Sequence, residues 1–217
     1  MNLTKRMVHI WIGPYEPPLD WMNTWKEKHP DWEYMVFTDE MLKSRKWHNQ
    51  HLIDEYYRRG TWAGVADLIR YELLYEGGGF LPPADAVCLH NTDELFTSPP
   101  DHAYSVYEND RDKHLAPNYI SPIMACNAGN TFVKLLIDTL HKLPANQLQP
   151  APWKSTGNAW LSKFVPNKEQ HKLIIWPSHY LIPKHYSIRS TPYKGDDKIY
   201  AEQMWGSTKR RYKKIKL

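Results

Sequence analysis

Cysteine is nearly absent from these 217 residues, and two thiols allow no disulfide framework. Cys88 and Cys126 each stand in an apolar, strand-like run and read as reduced core residues of a cytoplasmic protein. Long apolar runs are missing as well. Nothing approaches the ~18 residues a membrane span requires, and no apolar signal core precedes the run that starts at Met7, so a soluble chain without an anchor is expected. There is no GxGxxG and no Walker pattern, which argues against a dinucleotide enzyme and a phosphate-loop ATPase. Charge of one sign is scarce outside the end of the chain. The net +4 comes from Lys209, Arg210, Arg211, Lys213, Lys214 and Lys216, and without those six the acids slightly outnumber the bases. Residues 1–207 therefore read as one domain and 208–217 as a basic tail, either a solvated end or a contact for phosphate, nucleic acid or an anionic membrane surface.

Aromatic residues are plentiful, with ten Trp and fourteen Tyr. They supply either core volume or flat faces for sugars and bases. The chain is organised around WAGVADLIRYELLYEGGGFLPPADAVCL, Trp62 to Leu89. Its first half is apolar nearly all round, with Val65, Ile69 and Leu73 one turn apart and Leu68, Tyr71 and Leu74 on the other sides, which predicts a buried helix. Asp67 and Arg70 interrupt that helix three residues apart, close enough to meet and to face one ligand; charge at such a place needs a partner. Gly77, Gly78 and Gly79 end the helix and allow a close backbone approach. Phe80 and Leu81 begin a strand that Pro82 and Pro83 cut short, which puts Asp85 at a sheet end or edge.

The order Ala66, Asp67, Leu68, Ile69, Arg70, Tyr71, then Leu74, Tyr75, Gly78, Gly79 and Asp85 resembles the sugar transferases of glycosyltransferase family 32, which include the yeast initiating mannosyltransferases, and more distantly the glucosylating domains of the large clostridial cytotoxins. The resemblance implies an α/β fold of the GT-A type, a Rossmann-like nucleotide-sugar-binding sandwich of a mixed sheet flanked by helices. It also implies a hexosyltransferase that retains anomeric configuration and takes a nucleotide sugar, a UDP-sugar being favoured, to a hydroxyl acceptor such as a glycan. Trp11, at the end of the strand-like run from Met7, would stack on the donor base with Gly13 permitting close approach. Asp67 and Arg70 would hold hydroxyls of the donor sugar beside Tyr71, with Ala84 and Asp85 facing the diphosphate. Tyr200 to Ser207 resembles the closing family segment, adding Trp205 and Ser207 to the donor site.

The chain departs from that pattern where the family binds Mn²⁺ or Mg²⁺. Leu81 replaces a Tyr, Pro83 replaces the first Asp of the Asp-x-Asp pair, and Gln203 replaces a His that completes the metal site, so Asp85 is the one evident metal ligand left. Metal dependence is expected to be weak or lost, with Arg70 and the tail residues Lys209, Arg210 and Arg211 as substitute cations. Asp39 reads as a helix cap, and Ser155 or Thr156 as another. The polar stretch from Asn109 reads as a loop over the site. Two further readings stand beside the leading one: a transferase acting on hydroxymethylated pyrimidines in DNA, for which tail and aromatics would be suited, and a degenerate protein that binds a nucleotide sugar without catalysis.

Overall fold

A computed structural model describes residues 2–111, 119–187 and 190–206. Eight strands and seven α-helices follow one another as β1 (Arg6–Ile10), α1 (Leu19–Lys28), β2 (Glu33–Phe37), α2 (Asp39–Lys43), α3 (Gln50–Arg58), α4 (Trp62–Gly77), β3 (Gly79–Leu81), β4 (Ala86–Cys88), β5 (Ala103–Tyr107), β6 (Ile120–Cys126), α5 (Thr131–His141), α6 (Pro152–Ser155), α7 (Asn158–Leu161), β7 (Leu173–Trp176) and β8 (Ala201–Gln203) among those residues. Six strands form a mixed sheet in the order β2-β1-β3-β6-β5-β7, and β4 pairs with β8 in a separate two-stranded sheet. In the large sheet β6 alone runs against the rest. The carboxyl ends of β1, β2, β3, β5 and β7 therefore share one edge, the edge at which α/β sheets receive ligands.

Alternation of side chains sorts the two faces. Val8, Leu81, Met124 and Cys126 meet α3, α4 and α5 in one apolar cluster, while Met7, Phe80, Ile123 and Ala125 meet α1 and the β4–β8 pair in the other. Trp25, Trp32, Trp47, Trp160 and Trp176 belong to these layers and Trp21 is buried as well, so core volume accounts for the majority of the ten. Trp25, Phe80, Phe96, Tyr104 and Trp176 form a continuous edge-on and stacked group. His9 lies fully buried with Tyr34 Oη 2.9 Å from its Nδ1, and burial pushes its pKa down to about 3. Burial also pushes both free thiols, Cys88 and Cys126, up to about 12, as befits inert core residues.

Helix α4 spans the stretch read from sequence, and the backbone approach its glycines permit is to protein. A Cβ on Gly79 would stand 2.2 Å from the Arg6 carbonyl oxygen of β1, and Arg6 Nη1 donates to the Gly78 carbonyl. Glu72 of the same helix is buried and accepts the N–H groups of His48 and Asn49, so it satisfies backbone at the entry of α3. Asn127 is similarly structural, bonding Thr4 and the carbonyls of Asn2 and Pro100. Among the described residues no helix is long and apolar enough to cross a membrane.

Candidate functional site

Asp67 and Arg70 meet on α4, with Arg70 Nη1 donating to Asp67 Oδ1 at 3.1 Å. Asp67 is 8% exposed, and its second carboxylate oxygen accepts the Thr156 hydroxyl at 3.2 Å. Burial raises the Asp67 pKa to about 6, against the opposing pull of Arg70 and the hydrogen bond from Thr156. Tyr71 is buried one residue on; its hydroxyl donates to the Thr156 carbonyl at 2.6 Å, and burial holds its pKa well above the phenol range. The ion pair and the ligand-facing pair weighed from sequence are thus compatible, because Arg70 Nε is buried with no hydrogen-bond partner and keeps a donor to offer.

Thr156 is not the helix cap its position suggests. It ends α6, Gly157 stands before α7, and the break between the two helices at Thr156 and Gly157 is what lays the chain against Asp67. A Cβ on Gly157 would sit 2.8 Å from Asp67 Oδ2. Gly157→Ala is therefore expected to push the carboxylate off the Thr156 hydroxyl and, with the Trp153 Cα 3.0 Å from the same Cβ, to cost about 1 kcal/mol, a fall in melting temperature of roughly 2–4 °C that thermal unfolding would show.

The other predicted residues lie along the same sheet edge. Trp11 directly follows β1, half-buried, with its indole N–H donating to the Tyr15 carbonyl at 2.6 Å. Gly13 packs on the ring of Trp62, where a Cβ would come within 2.7 Å, and its N–H donates to Asp39 Oδ2 at 2.8 Å. Asp39 also accepts the Tyr57 hydroxyl, so it fastens the loop after β1 instead of capping α2. Ala84 and Asp85 sit half-buried and buried between the two sheets, as the prolines led one to expect. The β4–β8 pairing sets Gln203 opposite Ala86 and brings its amide nitrogen to Asp85 Oδ1 at 2.6 Å, with Met204 N–H on the Asp85 carbonyl. Trp205 follows at a left-handed φ of 57°, its indole donating to the Lys184 carbonyl. Ser207, Lys209, Arg210 and Arg211 lie outside the described residues, as do 112–118 of the loop after Asn109.

The structure joins Asp85, the one metal ligand the sequence keeps, to Gln203, a position at which it departs from a metal site. An amide N–H on the carboxylate occupies an oxygen a cation would take, and Pro83 supplies no ligand. No group of three His, Cys, Asp or Glu suited to a metal occurs among the described residues. Among the described residues the donor set does not fit a resident Mn²⁺ or Mg²⁺, which draws on several oxygen ligands.

Residues 19–119 match the family described as a glycosyltransferase sugar-binding region containing a DXD motif. Curated proteins give no match. Among solved structures the fold is similar to the PaToxG glycosyltransferase, at a TM-score of 0.56 and 14% identity over 77% of this chain and 72% of that one. It is also similar to the UDP-bound glycosyltransferase domain from the YGT toxin, at 0.55 and 11% over 80% and 79%. A glycosyltransferase involved in the glycosylation of the major capsid of PBCV-1 aligns at 0.52 and 10% over 97% and 99%. The α/β fold of GT-A type expected from the sequence is the fold found.

Proposed function

We propose that this chain, whose residues 19–119 match the family described as a glycosyltransferase sugar-binding region, is a transferase that moves a hexose from a nucleotide sugar, a UDP-sugar first among candidates, to a hydroxyl acceptor such as a glycan. The observation that carries the proposal is the Asp67–Arg70 pair, buried on α4 beneath the sheet edge and braced by Thr156, with Arg70 Nε unpartnered. A carboxylate and a guanidinium held side by side bind vicinal hydroxyls, the acid accepting and the fork donating. The UDP in the YGT toxin domain supports the choice of donor base, and Trp11 at the end of β1 offers an aromatic face for it. Departure of a nucleoside diphosphate needs positive charge or donors at the leaving oxygen. Arg70 supplies them here together with the basic residues after Trp205, in place of a cation, and the configuration at the anomeric carbon is retained as in the family the sequence resembles.

The test is nucleotide release from UDP-, GDP-, CMP- and dTDP-sugars, each with Mn²⁺ and with chelator. Release from one UDP-hexose is expected, at a rate that chelator changes by no more than about twofold, whereas a metal that stabilised the leaving group would make the loss far larger. Strict restoration by Mn²⁺ would overturn metal independence. Silence toward every donor, with binding still measurable, would favour the degenerate reading, for which the Asp85–Gln203 contact is the supporting observation.

A further inference from the structure

The end of β5 holds a carboxylate that neither the Asp67–Arg70 pair nor the Asp85 element uses. Glu108, directly after Tyr107, has a separate N–H donor on each oxygen: His185 Nε2 lies 2.9 Å from Oε1, and the Asn158 side-chain amide donates to Oε2. The Ser187 N–H reaches His185 Nδ1 at 3.2 Å, so Nδ1 accepts and the ring proton sits on Nε2, toward Glu108. The segment carrying His185 is itself fastened to the β5 end, since Arg111 donates to the carbonyls of Ile182, Pro183 and Thr191. Beside Glu108, Asn109 is 6% exposed with neither atom of its amide hydrogen-bonded. A buried amide left unpaired on both atoms is costly, and it matches a ligand that offers donor and acceptor together, as a sugar hydroxyl does.

Position gives Glu108 its role. Asn158, which holds one oxygen, follows Gly157, which lies against Asp67. His185, which holds the other, packs 5.1 Å from the ring of Trp205, two residues beyond the Gln203 that bonds Asp85. The carboxylate thus stands between the group that would hold the donor sugar and the element that would face its diphosphate, with 18% of its side chain exposed and a lone pair free on each oxygen.

Resting on the transferase reading above, we infer that Glu108 is the base that takes the proton of the acceptor hydroxyl, with His185 and Asn158 as positioning residues and Asn109 pairing with the acceptor. As the acceptor oxygen bonds to the anomeric carbon on the face the diphosphate leaves, which keeps the configuration, its proton passes to the Glu108 carboxylate. The bond from that carbon to the diphosphate oxygen breaks, its electron pair leaves on the nucleoside diphosphate, and Glu108 returns the proton to water. The experiment is hydrolysis of the UDP-hexose that the wild type turns over, in water and in sodium azide, with UDP affinity and thermal unfolding measured alongside. Glu108→Gln is expected to lose about a hundredfold in water and to recover to within about threefold of wild type in azide, which attacks without a proton to shed. Glu108→Asp, keeping a carboxylate, is expected to retain more activity than Glu108→Gln and to gain little from azide. A Glu108→Gln rate equal to wild type in water, absence of azide rescue with UDP binding intact, or an Asp variant worse than the Gln variant would each overturn the inference alone. A wild type silent toward every donor would overturn the transferase reading and take the inference with it.

Discussion

Asp67→Asn is expected to cut sugar transfer by at least about a hundredfold, the scale of losing one preorganised electrostatic group, while the protein still folds. The substitution keeps the shape and an oxygen for the Thr156 hydroxyl, but removes the charge that pairs with Arg70 and that, on the function proposed, would accept from the sugar. Two stability effects oppose each other. Relief of a buried carboxylate favours the variant, and an unpaired Arg70 penalises it, so melting temperature moves less than activity. The pH dependence separates them. The folded pKa of about 6 lies above the unfolded value near 3.8, so between those limits the folded state keeps a proton that the unfolded chain has released. Stability of the wild type therefore falls as pH rises from about 4 to about 6, by about 3 kcal/mol for two pK units, and stays lower above that window. In Asp67→Asn that fall should be missing from unfolding curves taken across the window. If the carboxylate holds the sugar as proposed, activity runs the other way, with kcat/KM of the wild type expected to rise toward pH 6 and level above it. A variant within threefold of wild-type turnover would remove Asp67 from the mechanism.

Gly79→Ala is expected to cost about 3 kcal/mol or more of folding stability, from a left-handed residue with a clash added. Its φ is +96°, and its Cβ would stand 2.2 Å from a backbone oxygen of β1, with the Arg6 Cβ at 2.9 Å. Backbone cannot yield as a long side chain would. The pairing of Met7 with Phe80 is the one register contact between β1 and β3, so a shift there separates the two halves of the sheet. In a chain of this size the loss corresponds to a fall in melting temperature of roughly 6–12 °C, measurable by calorimetry or circular dichroism. A fall below 2 °C would mean that Gly79 was chosen for something other than this approach.

The fold was legible where pattern and position agree. The apolar run of α4, its glycine end and the prolines that stop β3 are local statements, and each appears in the structure at the residues named. Misreadings arose where a polar residue had two possible partners. Asp39 and Thr156 occupy positions that suit caps, yet Asp39 takes the Gly13 N–H from the loop after β1 and Thr156 reaches Asp67, 89 residues away. Glu72 and Glu108 left no trace, because one acid among the apolar residues of α4 and one at a strand end look like any solvated charge until the chain segments that donate to them arrive.

By itself the sequence determined which residue types could do the chemistry: an acid and a guanidinium at helical spacing, an aspartate isolated by prolines, and a glutamine where a metal ligand would stand. Those are properties of composition and short-range periodicity, which the chain carries unfolded. Only the tertiary structure decided what they face. Five parallel strands brought Trp11, Asp39, Asp85 and Glu108 to one edge, the β4–β8 ladder put the Gln203 amide on Asp85, and the break between α6 and α7 closed Thr156 over Asp67. Contacts of that kind depend on register and on chain crossings between distant segments, and a one-residue slip in either would give the same sequence a different site.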